Sequence, residues 1–511
     1  MFRNILTVGF WTLMSRVLGF VRDVLIADRL GAGMVADAFF VALKLPDLFR
    51  QLFGEGAFNA SFIPAFAGAL ATEGHDAARR FAEEVTSLMV LWLGGLSLAG
   101  VLFMPEMMVV LAPGFAEIPA KFALAVRLTR ITFPYLMLVC LTASFAGVLN
   151  GLHRFAAAAA APILFNLCAI AALLFLTPFV PTAGDALAYG VTVSGMAQLA
   201  LLAVAMAQAG MALRLRWPRL TPAVRLVMRR MGPGVIGVGV MQINVAVDTI
   251  VASLLKPGSV SVLYYANRVN QLPLGVIGVT VGTALLPVLS RQVRGRTPLA
   301  AHRTLNRAIE FALVLTLPAA VGLAVASVPI IRALFERGAF TGTDVTATAS
   351  ALIAYAVGVP ATVLAKVLAP SFFARGDTRT PVLVGVAALA VNLAFIFALM
   401  VPLGATGIAL AASFSAMFNA GALATLLVRR RLFRADRGLR RRAPRMLLAA
   451  IAMGVALALA IQLVPPAAGV LRWVRLSGII AVGGLAYGLA GQALAAFDIR
   501  DLGRRMGHGR A

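Results

Sequence analysis

The chain has 511 residues, 61% of them hydrophobic, a mean hydropathy of +0.92 and a net charge of +25. No soluble globular class has those values. The charge alone would suit a nucleic-acid binder, but its distribution along the chain argues for a membrane protein instead.

A crossing helix needs about 20 mostly apolar residues. Fourteen stretches qualify: 5–27, 33–53, 81–112, 122–150, 155–180, 185–210, 225–255, 258–292, 303–336, 345–374, 380–402, 405–430, 441–465 and 470–497. The runs are long and do not alternate, which predicts helices rather than a barrel. The fold class expected is an all-α polytopic membrane protein. The first stretch holds Arg16, Arg22 and Asp23 and is followed at once by another, so it is not read as a cleaved leader.

With Arg3 placed in the cytoplasm, the even-numbered loops collect the arginines. Among these are Arg214, Arg216, Arg229, Arg230, Arg291, Arg294 and a run of nine between Arg429 and Arg445. The odd-numbered loops and span ends hold only Arg29, Lys121, Lys256, Arg332, Arg337, Arg472 and Arg475. That asymmetry is the positive-inside rule. It predicts a bacterial inner-membrane protein with both termini cytoplasmic, contacts to membrane lipids, and no nucleic-acid partner. Cys140 and Cys168 lie in apolar spans, and the four histidines are scattered through loops and the tail, so neither a disulfide framework nor a zinc motif is expected.

Features recur at an offset of about 226 residues. Leu43-Lys44-Leu45-Pro46 matches Asn270-Gln271-Leu272-Pro273, and Thr132-Phe133-Pro134-Tyr135 matches Gly358-Val359-Pro360-Ala361. Six spans separate the copies, so the expected lobes are parallel repeats. Their bounds are 1–220 and 221–432, with 433–511 carrying two further helices. Pro46, Pro134, Pro273, Pro287, Pro318 and Pro360 are candidate kinks. The run Gly232–Gly239 allows either close helix packing or a hinge.

Charges inside spans are costly, about 2.5–3.5 kcal/mol for a central Arg even on the lenient scale. Arg16, Arg22, Arg50 and Arg268 are therefore the candidate binding residues for an anionic cargo. A phosphorylated or pyrophosphorylated lipid headgroup fits best, because the guanidinium fork binds phosphate oxygens bidentately and keeps its charge. Asp37, Lys44 and Glu55 are candidates for gating or charge balance, as are Asn267 and Gln271 beside Arg268. The structural alternative is pairing along the helix: Lys44, Asp47 and Arg50 are spaced by three, and Arg22 has Asp23 and Glu55 within reach. No clustered carboxylates, metal site or catalytic histidine point to an enzyme.

These residues also carry a resemblance. The block Ser15-Arg16-Val17-Leu18-Gly19-Phe20-Val21-Arg22-Asp23 resembles the start of the MurJ (MviN) lipid II flippases. Ala36-Asp37-Ala38-Phe39-Phe40 through Pro46, Gly54-Glu55-Gly56-Ala57-Phe58, Ala112-Pro113-Gly114-Phe115, Tyr264-Tyr265-Ala266-Asn267-Arg268 and Val367-Leu368-Ala369-Pro370 follow in register. The resemblance spans nearly the whole chain. It implies the multidrug/oligosaccharidyl-lipid/polysaccharide exporter fold of fourteen helices, with two six-helix lobes and a final pair shaping a groove for a polyprenyl tail. It implies lipid II as cargo, moved from the inner to the outer leaflet by alternating access for peptidoglycan synthesis, and cell-wall synthesis proteins as partners. It makes Arg16, Arg22, Asp37, Arg50 and Arg268 the functional residues, with Glu55 in gate pairing.

The chain departs from some members at Asn267, Gln271 and Gln51, where acidic residues or an arginine are frequent. Some relatives have a sodium site, for which Asp248 and Asp377 are the acidic candidates here. No cofactor is expected; sodium or the membrane potential is the candidate energy source. The competing readings are a flippase for another polyprenyl-linked glycan, a cation-coupled drug exporter, and a non-transporting cell-wall scaffold.

Overall fold

The computed structural model describes residues 2–51, 57–218, 220–295, 298–465, 469 and 471–497, and every regular element among them is helical. In chain order the helices are α1 (Phe2–Leu30), α2 (Met34–Phe49), α3 (Ala57–Thr72), α4 (His75–Leu102), α5 (Met104–Leu111), α6 (Pro119–Thr132), α7 (Tyr135–Gly151), α8 (Ala156–Ala171) and α9 (Ala183–Gln208). They continue with α10 (Pro222–Ser253), α11 (Ser259–Arg294), α12 (Pro298–Val325), α13 (Ser327–Phe335), α14 (Gly342–Phe373), α15 (Arg379–Leu403), α16 (Ala405–Arg429), α17 (Arg437–Leu463) and α18 (Leu471–Ala493).

Local chemistry sets several of the boundaries. Thr182 and Asp185 form a capping box at the start of α9. Thr221 caps α10 ahead of Pro222, and Asp436 caps α17 through Leu439 N at 2.7 Å. Pro134 separates α6 from α7. The other prolines named above lie inside continuous helices, and α10 runs through Gly232–Gly239 as unbroken helix.

Among the described residues ten helical stretches are long and apolar enough to cross a membrane, α6 and α7 being counted there as one. The four other expected spans, the charged α1, α2, α10 and α11, are helical but fall outside that group. The expected span 81–112 is α4 plus the short α5, and 303–336 is α12 plus the short α13. α3 was not expected. It lengthens the second crossing: Ala42 O accepts from Thr132, Phe49 meets Phe133, and Phe62 and Phe66 lie against Gly147 and Gly151. The partners rise in the same order, so α2 with α3 runs alongside α6 with α7. Counting each pair once and omitting α5 and α13 leaves fourteen crossings.

The repeat is visible in the helix starts. Met104, Pro119 and Ala156 recur as Ser327, Gly342 and Arg379, a shift of about 223 residues rather than 226. The proline match of 134 with 360 is displaced by about one helical turn within that register. Its consequence differs too, since Pro134 ends a helix and Pro360 does not.

Packing divides the chain into two compact units, Met1–Ser261 with Arg337–Phe340, and Val262–Glu336 with Thr341–Ala511. This division and the repeat-based boundary at 220 are different positions, because α10 packs on α3, α4 and α5 of the first unit. The first unit's core includes a stack of Phe58, Phe62, Phe66 and Phe81 with ring centroids 4.9–5.9 Å apart. The second unit's core joins α11, α12, α14 and α16 through Leu289, Leu305, Val367, Phe372 and Leu427. In that unit Gly358 lets α14 approach α16 closely: a Cβ there would lie 2.6 Å from Ser413 Oγ. α17 and α18 pack with α12 through Met453, Leu457, Ile479 and Val321.

Candidate functional site

Two charged stations occur in the first unit. The first is centred on Asp37, near the start of α2. Its carboxylate has no exposure and accepts from Lys121 Nζ at 2.8 Å, Gly258 N at 2.7 Å, Ser261 N at 2.9 Å and Ser261 Oγ at 2.6 Å. Gly258 and Ser261 flank the start of α11, whose first N–H groups lack intrahelical acceptors. A negative group there also meets the positive end of the helix dipole. Lys121 is as buried as Asp37 and its Nζ sits 4.0 Å from the Phe115 ring centroid. Gly258 adopts φ +95°, and a Cβ on it would fall 2.6 Å from Ala32 O. Asp37 thus fastens α2 to α6 and to the start of α11.

The second station gathers Arg22, Lys44 and Arg50 with their acidic neighbours. Arg22 Nε and Nη2 both donate to Asp23 Oδ1, at 3.1 and 2.7 Å, and its guanidinium lies 5.1 Å from the Phe165 ring centroid on α8. Arg50 Nε and Nη2 donate to Asp47 Oδ1 at 3.1 and 2.6 Å. Gln51 donates to the other Asp47 oxygen at 2.9 Å and accepts in turn from Gln242 on α10. Tyr135, packed on Phe165, lies within electrostatic reach of Arg50, Asp47 and Arg22, and Lys44 within that of Asp47 and Asp248. Arg22 keeps 12% and Arg50 25% of its side chain exposed. Arg16 is exposed on α1.

The structural alternative of pairing along the helix is realised at this station. Arg22 and Arg50 each lean on an aspartate of their own or the adjoining helical turn, because unpaired guanidiniums within apolar helices are too costly. Each carboxylate uses one oxygen for the guanidinium. Both cations stay partly exposed, Arg50 more than Arg22.

Arg268 belongs to the second unit. It is half-buried on α11 with Asn267 half-buried, Asn270 buried and Gln271 exposed. Glu55 lies outside the described residues. Asp248 is half-buried on α10. Asp377 is neither buried nor open to a cation. It caps α15 by accepting from Thr380 N at 2.9 Å and Thr380 Oγ1 at 2.7 Å, and it pairs with Arg430 at 2.6 Å. Those bonds, the threonine's first, hold its carboxyl down at about 2. Among the described residues no group of three or more His, Cys, Asp or Glu side chains is arranged to hold a metal ion.

Lys121, Gly258, Ser261, Tyr135, Phe165 and Gln242 were not singled out from the sequence as site residues. Lys121 was visible only as one of the few outward cations. Its partner is 84 residues away, beyond any helical spacing rule.

A family model described as "Lipid II flippase MurJ" matches residues 26–477. The chain belongs to the MurJ lipid II flippase family. It is 45% identical over 460 residues to "Probable lipid II flippase MurJ" of Rhizobium meliloti (strain 1021), covering 89% of this chain and 86% of that one. It is 34% identical over 423 residues to "Lipid II flippase MurJ" of Burkholderia cenocepacia, covering 82% of each. A solved lipid II flippase MurJ in an inward closed conformation superposes with a TM-score of 0.80 at 25% identity, covering 97% of this chain and 99% of that one. An inward-facing multidrug resistance MATE family transporter of the MOP superfamily shares the fold alone, with a TM-score of 0.69 at 14% identity over 84% of this chain and 98% of that one. The chain is thus a multi-pass membrane protein of a transporter family.

Proposed function

We propose that the chain is a lipid II flippase. It moves undecaprenyl-pyrophosphoryl disaccharide-pentapeptide from the inner to the outer leaflet of the cytoplasmic membrane by alternating access, with both termini in the cytoplasm. Membership of the MurJ family carries this reading. The observation that supports it at the level of chemistry is the Arg22–Arg50 station, where two partly exposed guanidiniums sit on helices beside Lys44 and their aspartates.

In this reading Arg16, Arg22 and Arg50 engage the pyrophosphate, and Arg268 on the second unit does so as well. Phosphate oxygens exchange with Asp23 and Asp47 for the bidentate fork, so no guanidinium is left unpaired on the way in or out. Lys44, Asn267 and Gln271 balance charge around the cargo, and the polyprenyl tail stays in lipid along α17 and α18. An inside-negative potential drives an anionic headgroup outward, by about 2.3 kcal/mol per charge per 100 mV. That supplies a driving force without a bound coupling ion.

The test is lipid II exposure at the outer leaflet of bacteria depleted of their own flippase and expressing this chain. Restored exposure that is lost in Arg268→Ala supports the reading. An inserted protein that restores nothing sinks it and points to another polyprenyl-linked glycan or a scaffold role.

A further inference from the structure

The second unit contains three neighbouring arginines, two of which are placed against the helix dipole. Arg472 and Arg475 lie in the opening turns of α18, where the helix dipole disfavours cations and where no acidic residue is present in the first turn. Arg332 lies in the last turn of α13, and the three side chains line one cleft with Pro329, Ala333 and Leu476. All three also belong to the small set of cations on the side that the positive-inside rule leaves poor in them.

A single carboxylate serves this group. Glu336 Oε2 is 3.2 Å from Arg332 Nε and 3.6 Å from Arg472 Nη1. Arg472 Nη1 also donates to Glu336 O at 2.7 Å. Arg475 turns to the C-terminal carbonyls of α17, donating to Val464 O at 2.9 Å and Ile461 O at 3.2 Å. Three cations against one anion leave a surplus of positive charge at a helix N-terminus. A second observation points the same way: Arg472 Nε is buried and donates to nothing among the described residues. Trp473, Leu471 and Val474 are exposed beside the cluster, an apolar rim with an aromatic of the kind found at headgroup depth.

We propose that Arg332, Arg472 and Arg475 form a binding site for the phosphate of a lipid headgroup, separate from the Arg22–Arg50 station. Phosphate oxygens match guanidinium forks, and an anion at the start of α18 completes both the dipole and the charge balance. The apolar rim then holds the lipid's glycerol or prenyl end. The outward location of this site rests on the topology proposed above. The binding itself does not, and it is measured without transport.

The test uses the purified full chain in detergent and native mass spectrometry. The probes are phosphatidylglycerol, undecaprenyl pyrophosphate, and a diacylglycerol that has the chains without the phosphate. Wild type retains a phosphate-bearing lipid over the diacylglycerol, and Arg472→Gln with Arg475→Gln lowers that retention by about tenfold or more. Retention of phosphatidylglycerol assigns the site to bulk lipid; retention of undecaprenyl pyrophosphate assigns it to the cargo's own headgroup. Glu336→Gln removes the competing carboxylate and raises retention, a gain that misfolding would not produce. Equal retention of the diacylglycerol, an unchanged double variant, or weaker binding in Glu336→Gln overturns the proposal and leaves a structural ion cluster. Lipid-free melting of the double variant is expected to fall slightly, because Arg472 and Arg475 also donate to Glu336 O, Ile461 O and Val464 O; retention is therefore compared where both proteins stay folded.

Discussion

Asp37 and Arg22 are both charged groups inside the first unit, yet their surroundings differ in kind. Asp37 is sealed, with donors from three sequence-distant positions and a buried lysine as its counter-charge. Arg22 and Arg50 are compensated by near neighbours and keep part of their surface open. A fully satisfied buried charge is fixed in place, since any departure strands its partner. A partly exposed charge beside a carboxylate of its own helix is under no such constraint, because water reaches it when a partner leaves. In the proposed reading Asp37 holds the architecture and the arginines meet the cargo.

The largest expected break in this comparison is Asp37→Asn. Lys121 would then be buried without a counter-charge, at about 3–5 kcal/mol of stability. Thermal melting of the purified protein should fall sharply, and adding Lys121→Met should recover part of the loss; an unchanged melt would place Asp37 with the exchangeable charges instead. Gly258→Ala comes next. The left-handed backbone and the contact with Ala32 O at 2.6 Å predict a loss of about 1–3 kcal/mol. The melt of that variant checks it, with Gly232→Ala, a site with open space around the added methyl, as the reference.

Arg22→Lys and Arg50→Lys sharpen the contrast from the other side. Each keeps its charge and loses its fork, so outer-leaflet lipid II should drop by about tenfold while the melt moves by under about 1 kcal/mol. A melt that falls as far as that of Asp37→Asn would erase the distinction between the stations. The smallest effect concerns Asp377, whose carboxyl is held at about 2 against an ordinary 3.8. A lowered folded value gives stability that is present above the ordinary value and is lost as pH falls through about 2. The melting difference between wild type and Asp377→Asn should be constant from neutral pH down to about 4 and close towards pH 2.

Much of this was legible in the chain. Ten crossings followed from apolar run length, and the charged stretches expected as α1, α2, α10 and α11 are helices at the expected places. α3 was missed, since 57–72 is too short to cross alone and its stacking against α7 is a long-range contact. The repeat was found on proline motifs and its register was off by about one turn, because a proline can shift a turn along a helix while the helix ends stay put. The Asp47–Arg50 pair was predicted by spacing and is present at 2.6 Å. The Arg22–Asp23 pair was one of two alternatives, and the structure places that contact at 2.7 Å.

By itself the sequence determined the membrane class, the family and the run of helices, since all of these depend on composition, run length and local motif. Only the tertiary structure decided what each charge does. Asp37 meets partners 84, 221 and 224 residues away, and Arg332 and Arg472 share one carboxylate although they lie on different helices. Helical spacing rules reach three or four residues along one face. Whether a buried ion is sealed or exchangeable depends on the groups that packing brings to it from elsewhere in the chain.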